Sequence, residues 1–441
     1  MTSSRGRFFI KTWGCAMNVH DEQKMASCLE GDGWQRATRA AEADLILLNT
    51  CSVREKSAEK LFTFLGRLKR FQDRSPGKRI GVTGCVAQQE GEHIFKRAPH
   101  VDLVIGPRRI GRIAELVRDS GGPARQVDTA LDDLTAIYWD GGRATRGGSK
   151  AYVTIMEGCN MGCTFCIVPQ TRGREIHRPF ASIVAECRRR VAEGITEIEF
   201  LGQTVNAYRH GGRAFHHLLD EVARISGLQR LRFTSSHPAF FTPDTATVMA
   251  AHETICSHLH LPVQSGSDRM LKAMRRGHTV ADYRRRLDDL RNKIPNIALS
   301  TDIIAGYPGE TDADFARTLE LVEDVRYSQV FAFKYSPRPA TPAVELDDDI
   351  PEAVKGERLA RLFALQDRIS LSDNRKMVGE VMPVLFDGLS RLDDQVAAGR
   401  TECNRVVNAP GLAPADVAGQ VVLVRITAAG THSLAGVAAR A

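Results

Sequence analysis

Residues 157–174 read EGCNMGCTFCIVPQTRGR, with Cys159, Cys163 and Cys166 spaced three and then two residues apart. Three thiolates in so short a stretch grip one compact metal centre, and the softness of sulfur selects iron-sulfur clusters or zinc. Structural zinc takes a closed set of four ligands, usually paired CxxC motifs or a CxxC followed by spaced histidines. Neither follows here, and His177 is the nearest candidate for a fourth ligand. A 4Fe-4S cluster on three cysteines keeps one iron free of protein, and that iron binds a small molecule.

A second trio is spread through the first part of the chain. Residues 7–10, 45–48 and 79–82 read as short buried strands, each followed by a loop and a helical pattern, which predicts a parallel sheet. Cys15, Cys51 and Cys85 come directly after these strands, 36 and 34 residues apart. The carboxyl ends of parallel strands form one ligand-binding edge, so distant cysteines converge there and a second three-cysteine cluster is expected. Gly14 and Gly84 precede two of them, where a missing side chain would let the backbone approach a bulky inorganic core. Cys28, Cys187, Cys256 and Cys403 lack such company and read as packing or surface residues. Trp13 either lines the site or packs. The amphipathic helix after Cys51 buries Leu61, Phe62, Leu65 and Leu68 and carries Arg54, Lys56, Lys60, Arg67, Lys69 and Arg70.

The elements that must position the first trio form another series. Strands are expected at residues 152–156, 197–201, 230–234, 258–261, 298–304 and 330–335, with helical patterns between them. Six strand-helix units suggest a partial parallel barrel with its chemistry at the carboxyl ends, where the CxxxCxxC loop lies. Other strand ends read LGQTVNAY, FTSSHP, LPVQSGSD and DIIAGYPGET, and their Gln203, Ser235 and Gln264 are candidates for holding a polar cofactor. Gly306 and Gly309 are expected to shape a turn, and His258 and His260, on one strand face, to be hydrogen-bonded core residues rather than ligands. From Arg269 to Lys293 there are nine basic and three acidic residues, Arg275, Arg276, Arg284 and Arg285 among them, a candidate path for RNA phosphates.

Residues 351–374 have a helical pattern with Leu359, Leu362, Phe363, Leu365 and Ile369 as the apolar face. From Met377 onward the period changes to short strands separated by Gly, Pro and Asp, which predicts a small antiparallel barrel. The expected division is an α/β domain at 1–120, a linker at 121–148, the partial barrel at 149–345, a linker helix at 346–374 and the β-barrel at 375–441. At 441 residues, several domains are the natural expectation. No apolar run is long enough to span a bilayer, and the first residues lack a signal-peptide core, so a soluble cytoplasmic protein is expected. Ten cysteines, clustered rather than framework-like, fit a reducing compartment. A formal charge of +7 permits a polyanionic partner without requiring one.

The CxxxCxxC loop resembles that of the radical S-adenosylmethionine (SAM) superfamily, in which the open iron chelates SAM. The resemblance places Phe165 beside the adenine of SAM. A longer likeness runs through NTCSVREKSAEKLF, GCVAQQEGE, KRAPHVDLVIGP, TIMEGCN, RFTSSHP, HLHLPVQSGSDRMLKAMRRG, YSPRPATPA and NRVVN, which resemble the methylthiotransferase family. Its branch acting on N6-isopentenyl-adenosine is the nearest in wording. That implies two 4Fe-4S clusters, on Cys159, Cys163 and Cys166 and on Cys15, Cys51 and Cys85, with SAM as methyl donor and radical source. It also implies a tRNA anticodon stem-loop as partner, methylthiolation at position 37, an electron donor such as flavodoxin or ferredoxin, and a monomer. The last barrel resembles a TRAM domain, which is the basis for giving it an RNA-binding role, since its charges nearly cancel. A sister enzyme acting on threonylcarbamoyl-adenosine or on a ribosomal-protein aspartate is the alternative. Departures from the family wording are HSLAGV, the extra Cys403 and Trp13.

Overall fold

The computed structural model describes residues 5–52, 55–72, 77–119, 125–132, 137–139, 149–390 and 393–439. The chain forms two compact units. One holds 1–143 together with 157–161 and 167–176, and the other holds 144–156, 162–166 and 177–441.

The first unit is built on a parallel sheet of six strands in the order Gln35–Arg36, Arg7–Trp13, Leu45–Thr50, Arg79–Thr83, Leu103–Ile105 and Gln126–Asp128. Leu45–Thr50 is buried at every position, as a strand covered on both faces must be. Ile46 and Leu48 pack with Leu61, Leu65 and Leu68 of the helix Glu55–Gln72, while Leu45 and Leu47 pack with Met25, Ala26 and Leu29 of the helix Ala16–Gly31. Each such leucine contributes about 2 kcal/mol through burial. Arg7–Trp13 lies between the strand that follows it and Leu45–Thr50, so the direction of winding reverses there. In an open α/β sheet that reversal leaves a crevice at the carboxyl ends. Gln126–Asp128 falls in the segment read from sequence as a linker, yet it pairs with Leu103–Ile105 as the last strand. Three half-polar residues carry too little pattern to announce a strand. Much of the rest of that expected linker, 133–136 and 140–148, lies outside the described residues.

The second unit contains six parallel strands in two sheets. The first is Lys150–Thr154, Glu197–Leu201 and Arg230–Phe233, and the second is His258–His260, Ala298–Ala305 and Gln329–Lys334. A parallel bridge from Leu231 to Ile255 joins them into one curved array. Alternate residues make its two faces. Ile198, Phe200, Leu231, Phe233, Leu259, Leu299, Ile303, Val330 and Ala332 enter the core shared with the surrounding helices. Lys150, Tyr152, Glu197, Glu199, Arg230, Arg232, His258, His260, Ser300, Asp302, Phe331 and Phe333 therefore face the opposite side, the lumen.

The helix Glu352–Arg375 adds Leu362, Leu365 and Ile369 to that core, whereas Phe363, expected on the same face, is exposed. Beyond it a closed antiparallel and mixed barrel runs through Val381–Leu389, Ala397–Arg400, Val406–Ala409, Leu434–Ala438 and Val421–Ala429 around Val384, Phe386, Val407, Val424, Ile426 and Leu434. Arg230 donates to the carbonyls of Arg400 and Pro383, at 2.8 and 2.9 Å, and Arg232 to those of Glu402 and Thr401, each at 2.8 Å. The small barrel is thereby fixed to the amino-terminal edge of the strand array. Among the described residues no helix is long and apolar enough to cross a membrane.

Candidate metal centres

Cys15 and Cys51 follow the two strands that flank the winding reversal, and Cys85 follows the next strand of the sheet. Cys15 caps the helix Ala16–Gly31 and is exposed, whereas Cys51 and Cys85 are buried. Asn18 and Asn49 clamp these loops together. The Asn49 amide donates to the Asn18 carbonyl at 2.7 Å, and Asn18 Oδ1 accepts from Cys15 N at 3.4 Å. Gly14 and Gly84 are needed for this clamp. A Cβ on Gly14 would lie 2.7 Å from Cys51 Cβ, and one on Gly84, at φ +85°, would collide with Asn49 Oδ1. The two glycines thus bring the cysteine loops against protein, a tighter reason than the close approach to an inorganic core expected from sequence. Trp13 packs edge-on against Phe64 at 5.5 Å, so it serves the core.

A hydrogen bond from Cys51, with help from Asn18 and Arg172, draws the Cys15 thiol down to about 6, against the desolvation by the protein packed around this otherwise exposed residue. Burial pushes Cys85 up, and the Arg172 guanidinium pulls the other way. Arg172 is itself 2% exposed and belongs to a buried quartet. It meets Asp21 at 2.5 Å and Glu157 at 3.5 Å, while Lys24 lies 3.4 Å from Glu157 and 4.0 Å from Asp21. Burial works against the Arg172 charge, but Asp21, Cys85 and Glu157 hold it firmly protonated. Two acids and two bases cancel, so the network sits beside the cysteines without net charge.

In the CxxxCxxC loop, Cys159 and Cys163 are buried and Cys166 is half-buried. Cys159 Sγ accepts from Met161 N at 3.4 Å, and Cys163 Sγ accepts from Arg276 Nη1 at 3.3 Å. The hydroxyl of Thr164 meets that of Tyr307 at 2.8 Å, and its carbonyl accepts from Ala343 N at 2.8 Å. Phe165 packs on Met270, Met274, Tyr307, Tyr335 and Ala343. Gln203, Ser235 and Gln264 each stand just beyond a lumen strand. Ser235 and Gln264 hold φ at 61° and 75°, a conformation that costs a side-chain-bearing residue about 1 kcal/mol or more. Gln264 is anchored on both sides, donating to Asp302 O at 2.9 Å and accepting from Ile304 N at 3.0 Å. Gly306 and Gly309 both adopt positive φ in the turn after Ala298–Ala305.

In chemistry, though with no convergence in the structure to show it, three thiols in each set are the kind of donor a 4Fe-4S cluster takes. Among the described residues no three His, Cys, Asp or Glu side chains converge as a single ion would require. Each iron of a cluster takes its own thiolate, so the sulfurs gather around a compact cube rather than on one ion, and N–H donors to sulfur are a usual accompaniment. His177 is unsuited to completing a zinc site, because its Nδ1 accepts from Arg209 N at 3.1 Å. His258 and His260 share the Ser300 hydroxyl at 3.1 and 3.0 Å, hydrogen-bonded as expected, but they line the lumen rather than the core because Leu259 between them takes the core face. Burial pushes Cys28 up to about 11, Cys256 up to about 12 and Cys187 higher still, consistent with packing roles.

Arg276 departs from its expected place. It was grouped with surface arginines for RNA, but it is 5% exposed and directed at Cys163, whereas Arg284 and Arg285 are exposed and paired with Asp324 and Asp282. Asn18, Asn49, Glu157, Arg172 and Arg276 were missed as site residues. For the first four the only sequence signal was position, near a cysteine or in the strand that ends at one, and Arg276 had only its place in the basic run.

Residues 7–106 match the family described as Uncharacterized protein family UPF0004, 153–322 the Radical SAM superfamily and 375–439 the TRAM domain. The chain is 46% identical over 439 residues to the tRNA-2-methylthio-N(6)-dimethylallyladenosine synthase of Acidovorax sp. strain JS42, covering 98% of this chain and 97% of that protein. It is 48% identical over 443 aligned positions to the synthase of the same name from Acidithiobacillus ferrooxidans, again covering 98% and 97%. In fold it is similar to the radical S-adenosylmethionine methyltransferase TsrM from Kitasatospora setae. The TM-score is 0.58 at 14% identity, over 87% of this chain and 79% of that one.

Proposed function

The chain belongs to the tRNA-2-methylthio-N(6)-dimethylallyladenosine synthase family, and from that premise we propose that it converts N6-isopentenyl-adenosine at position 37 of tRNA to its 2-methylthio derivative. The observation carrying this reading is near-complete coverage at 46% and 48% identity, with one cysteine trio inside each of the two matched family regions 7–106 and 153–322.

Adenine C2 carries neither an acidic proton nor a good leaving group, so side-chain acid-base chemistry has little to offer there. Two 4Fe-4S clusters and two SAM molecules supply, when bound, the reducing electron, the hydrogen-abstracting radical and the methylated sulfur. Cys159, Cys163 and Cys166 hold the SAM-cleaving cluster in this proposal, and Cys15, Cys51 and Cys85 the sulfur-bearing one. Phe165 offers a ring face to the adenine of SAM, and Gln203, Ser235 and Gln264 offer polar groups to its ribose and amino-acid portions. Arg276 orients Cys163 through its N–H donor, and Arg172 does the same for Cys85. The lumen holds the target base and excludes water from it, and an anticodon loop suits this because its unstacked bases can be splayed into a pocket. The TRAM-like barrel and exposed arginines such as Arg284 and Arg285 attract the anticodon stem-loop. A flavodoxin or ferredoxin delivers the electron, and the protein works as a cytoplasmic monomer.

Nucleoside analysis of tRNA from a deletion strain tests the reaction. Loss of 2-methylthio-N6-isopentenyl-adenosine with accumulation of its precursor is expected, and an unchanged level would assign the chain to a sister activity. Anaerobic reconstitution tests the sites. Cys163→Ala should abolish SAM cleavage while keeping the other cluster, and Cys51→Ala should keep cleavage while stopping sulfur insertion. Iron content falling to zero in either variant would contradict two independent centres.

A further inference from the structure

Most of the lumen face is charged and internally paired. Lys150 lies 2.5 Å from Glu199 and 3.4 Å from Glu197, and Arg232 lies 3.2 Å from Glu197. His260 adds a contact to Asp302 at 3.5 Å. Phe331 and Phe333 break this pattern, at 37% and 44% exposure. Among the described residues they are the only large apolar side chains left exposed on the six strands of the array. Their alternation with Val330 and Ala332, which enter the core with Leu362 and Leu365, aims them into the lumen.

Register places them more closely. Phe331 pairs with Asp302 midway along the ladder, and Phe333 pairs with Ile304 one rung short of its carboxyl end. The edge of Phe331 also meets the His260 ring at 5.7 Å. Ile304 in turn packs against the cluster of Met270, Met274, Tyr307 and Tyr335 that receives Phe165. A hydrocarbon strip thus runs along one side of an otherwise polar lumen, ending at the CxxxCxxC loop.

We infer that Phe331 and Phe333 are specificity-determining residues that form the wall against which the N6-isopentenyl chain of the substrate base packs. The inference rests on the substrate reading above. Of the groups that reaction brings to the lumen, SAM is charged, the nucleoside sugar and phosphates are polar, and only the prenyl chain is branched hydrocarbon. Burying that chain on two phenylalanines removes apolar surface of both partners from water, and an adenosine without the chain leaves the rings wet.

The test compares short anticodon stem-loop RNAs that carry either N6-isopentenyl-adenosine or plain adenosine, binding to the full cluster-loaded chain under anaerobic conditions. The unsubstituted chain should prefer the prenylated loop by about ten-fold or more. Phe331→Ala with Phe333→Ala should erase that preference, leaving affinity for the plain loop and RNA-free SAM cleavage within about two-fold of wild type, and Phe333→Leu should retain it. Variants that keep the wild-type preference, or that weaken both RNAs equally, overturn the inference. Absence of any preference in the unsubstituted chain overturns the substrate reading itself, and is recognised because it appears before any substitution.

Discussion

Arg276 donates from Nη1 to Cys163 Sγ at 3.3 Å and from Nη2 to the Pro262 carbonyl at 2.8 Å. The residue immediately before it, Arg275, holds φ at 54°, which turns the chain sharply after the helix Asp268–Ala273. One arginine of a basic run is thereby taken out of the surface and put against a proposed cluster ligand. A cation at a ligating sulfur stabilises the reduced, more negative form of the cluster. Arg276→Gln should therefore lower the reduction potential and slow SAM cleavage by about ten-fold, with partial recovery in Arg276→Lys. Redox titration followed by electron paramagnetic resonance reads the potential. The salt dependence of tRNA binding should match wild type, whereas Arg284→Glu with Arg285→Glu should weaken binding and flatten that dependence. A flattened slope in Arg276→Gln would return it to the RNA-facing surface.

The quartet of Asp21, Lys24, Glu157 and Arg172 makes a second expectation. Every member is at most 2% exposed, so removing one leaves its partners charged and dry. Arg172→Met should destabilise the first unit by about 3–5 kcal/mol. Adding Asp21→Asn restores charge balance and should recover a good part of that loss. Denaturant midpoints of the two variants decide the matter, and equal midpoints would mean that the ion pair carries little of the cost.

Much of this was legible in the sequence because two kinds of signal agree. The strands Leu45–Thr50 and Glu197–Leu201 are continuous or alternating apolar runs, and cysteines after three strands foretold one edge. Ala397–Arg400 was not legible: its AAGR has no β-branched residue, and it is a strand only because both neighbours pair with it. Arg172 and Arg276 were missed for another reason. Charge composition cannot separate a guanidinium in water from one folded inward onto sulfur, since tertiary contacts alone make that difference.

Arg230 and Arg232 tie the small barrel to the strand array through four backbone carbonyls, with Glu197 supplying their counter-charge. Carbonyls of Pro383, Arg400, Thr401 and Glu402 come from neighbouring parts of that barrel, so two side chains fix its orientation. Arg232→Met should leave both folds intact but loosen their junction, costing about 2–3 kcal/mol. Limited proteolysis should then release a fragment beginning near Arg375 several-fold faster than from wild type. Unchanged cleavage would place the holding energy in the helix Glu352–Arg375 and its Asn374, which donates to the Gly430 carbonyl at 2.8 Å.

The histidines near Arg276 give a pH expectation. Burial, reinforced by Arg276 and Arg286, pushes His278 down to about 4 despite its hydrogen bond to the Arg276 carbonyl, and burial with Arg276 and His278 takes His237 down to about 2. Burial with Arg232 and His260 takes His258 down to about 3. An unfolded histidine titrates near ~6.5, so as pH falls the unfolded chain takes up protons before the folded one does. Stability held by these neutral rings is complete above about pH 6.5 and declines below it, continuing to about 4 for His278. Between about pH 6.5 and 5, above most carboxylate titrations, the urea midpoint should fall steadily. His278→Gln removes one proton from that difference, worth up to ~1.4 kcal/mol per pH unit, and should flatten the decline. An identical slope in wild type and His278→Gln would show that His278 is free to charge in the folded protein, and would require its ring to be wetter than its 8% exposure allows.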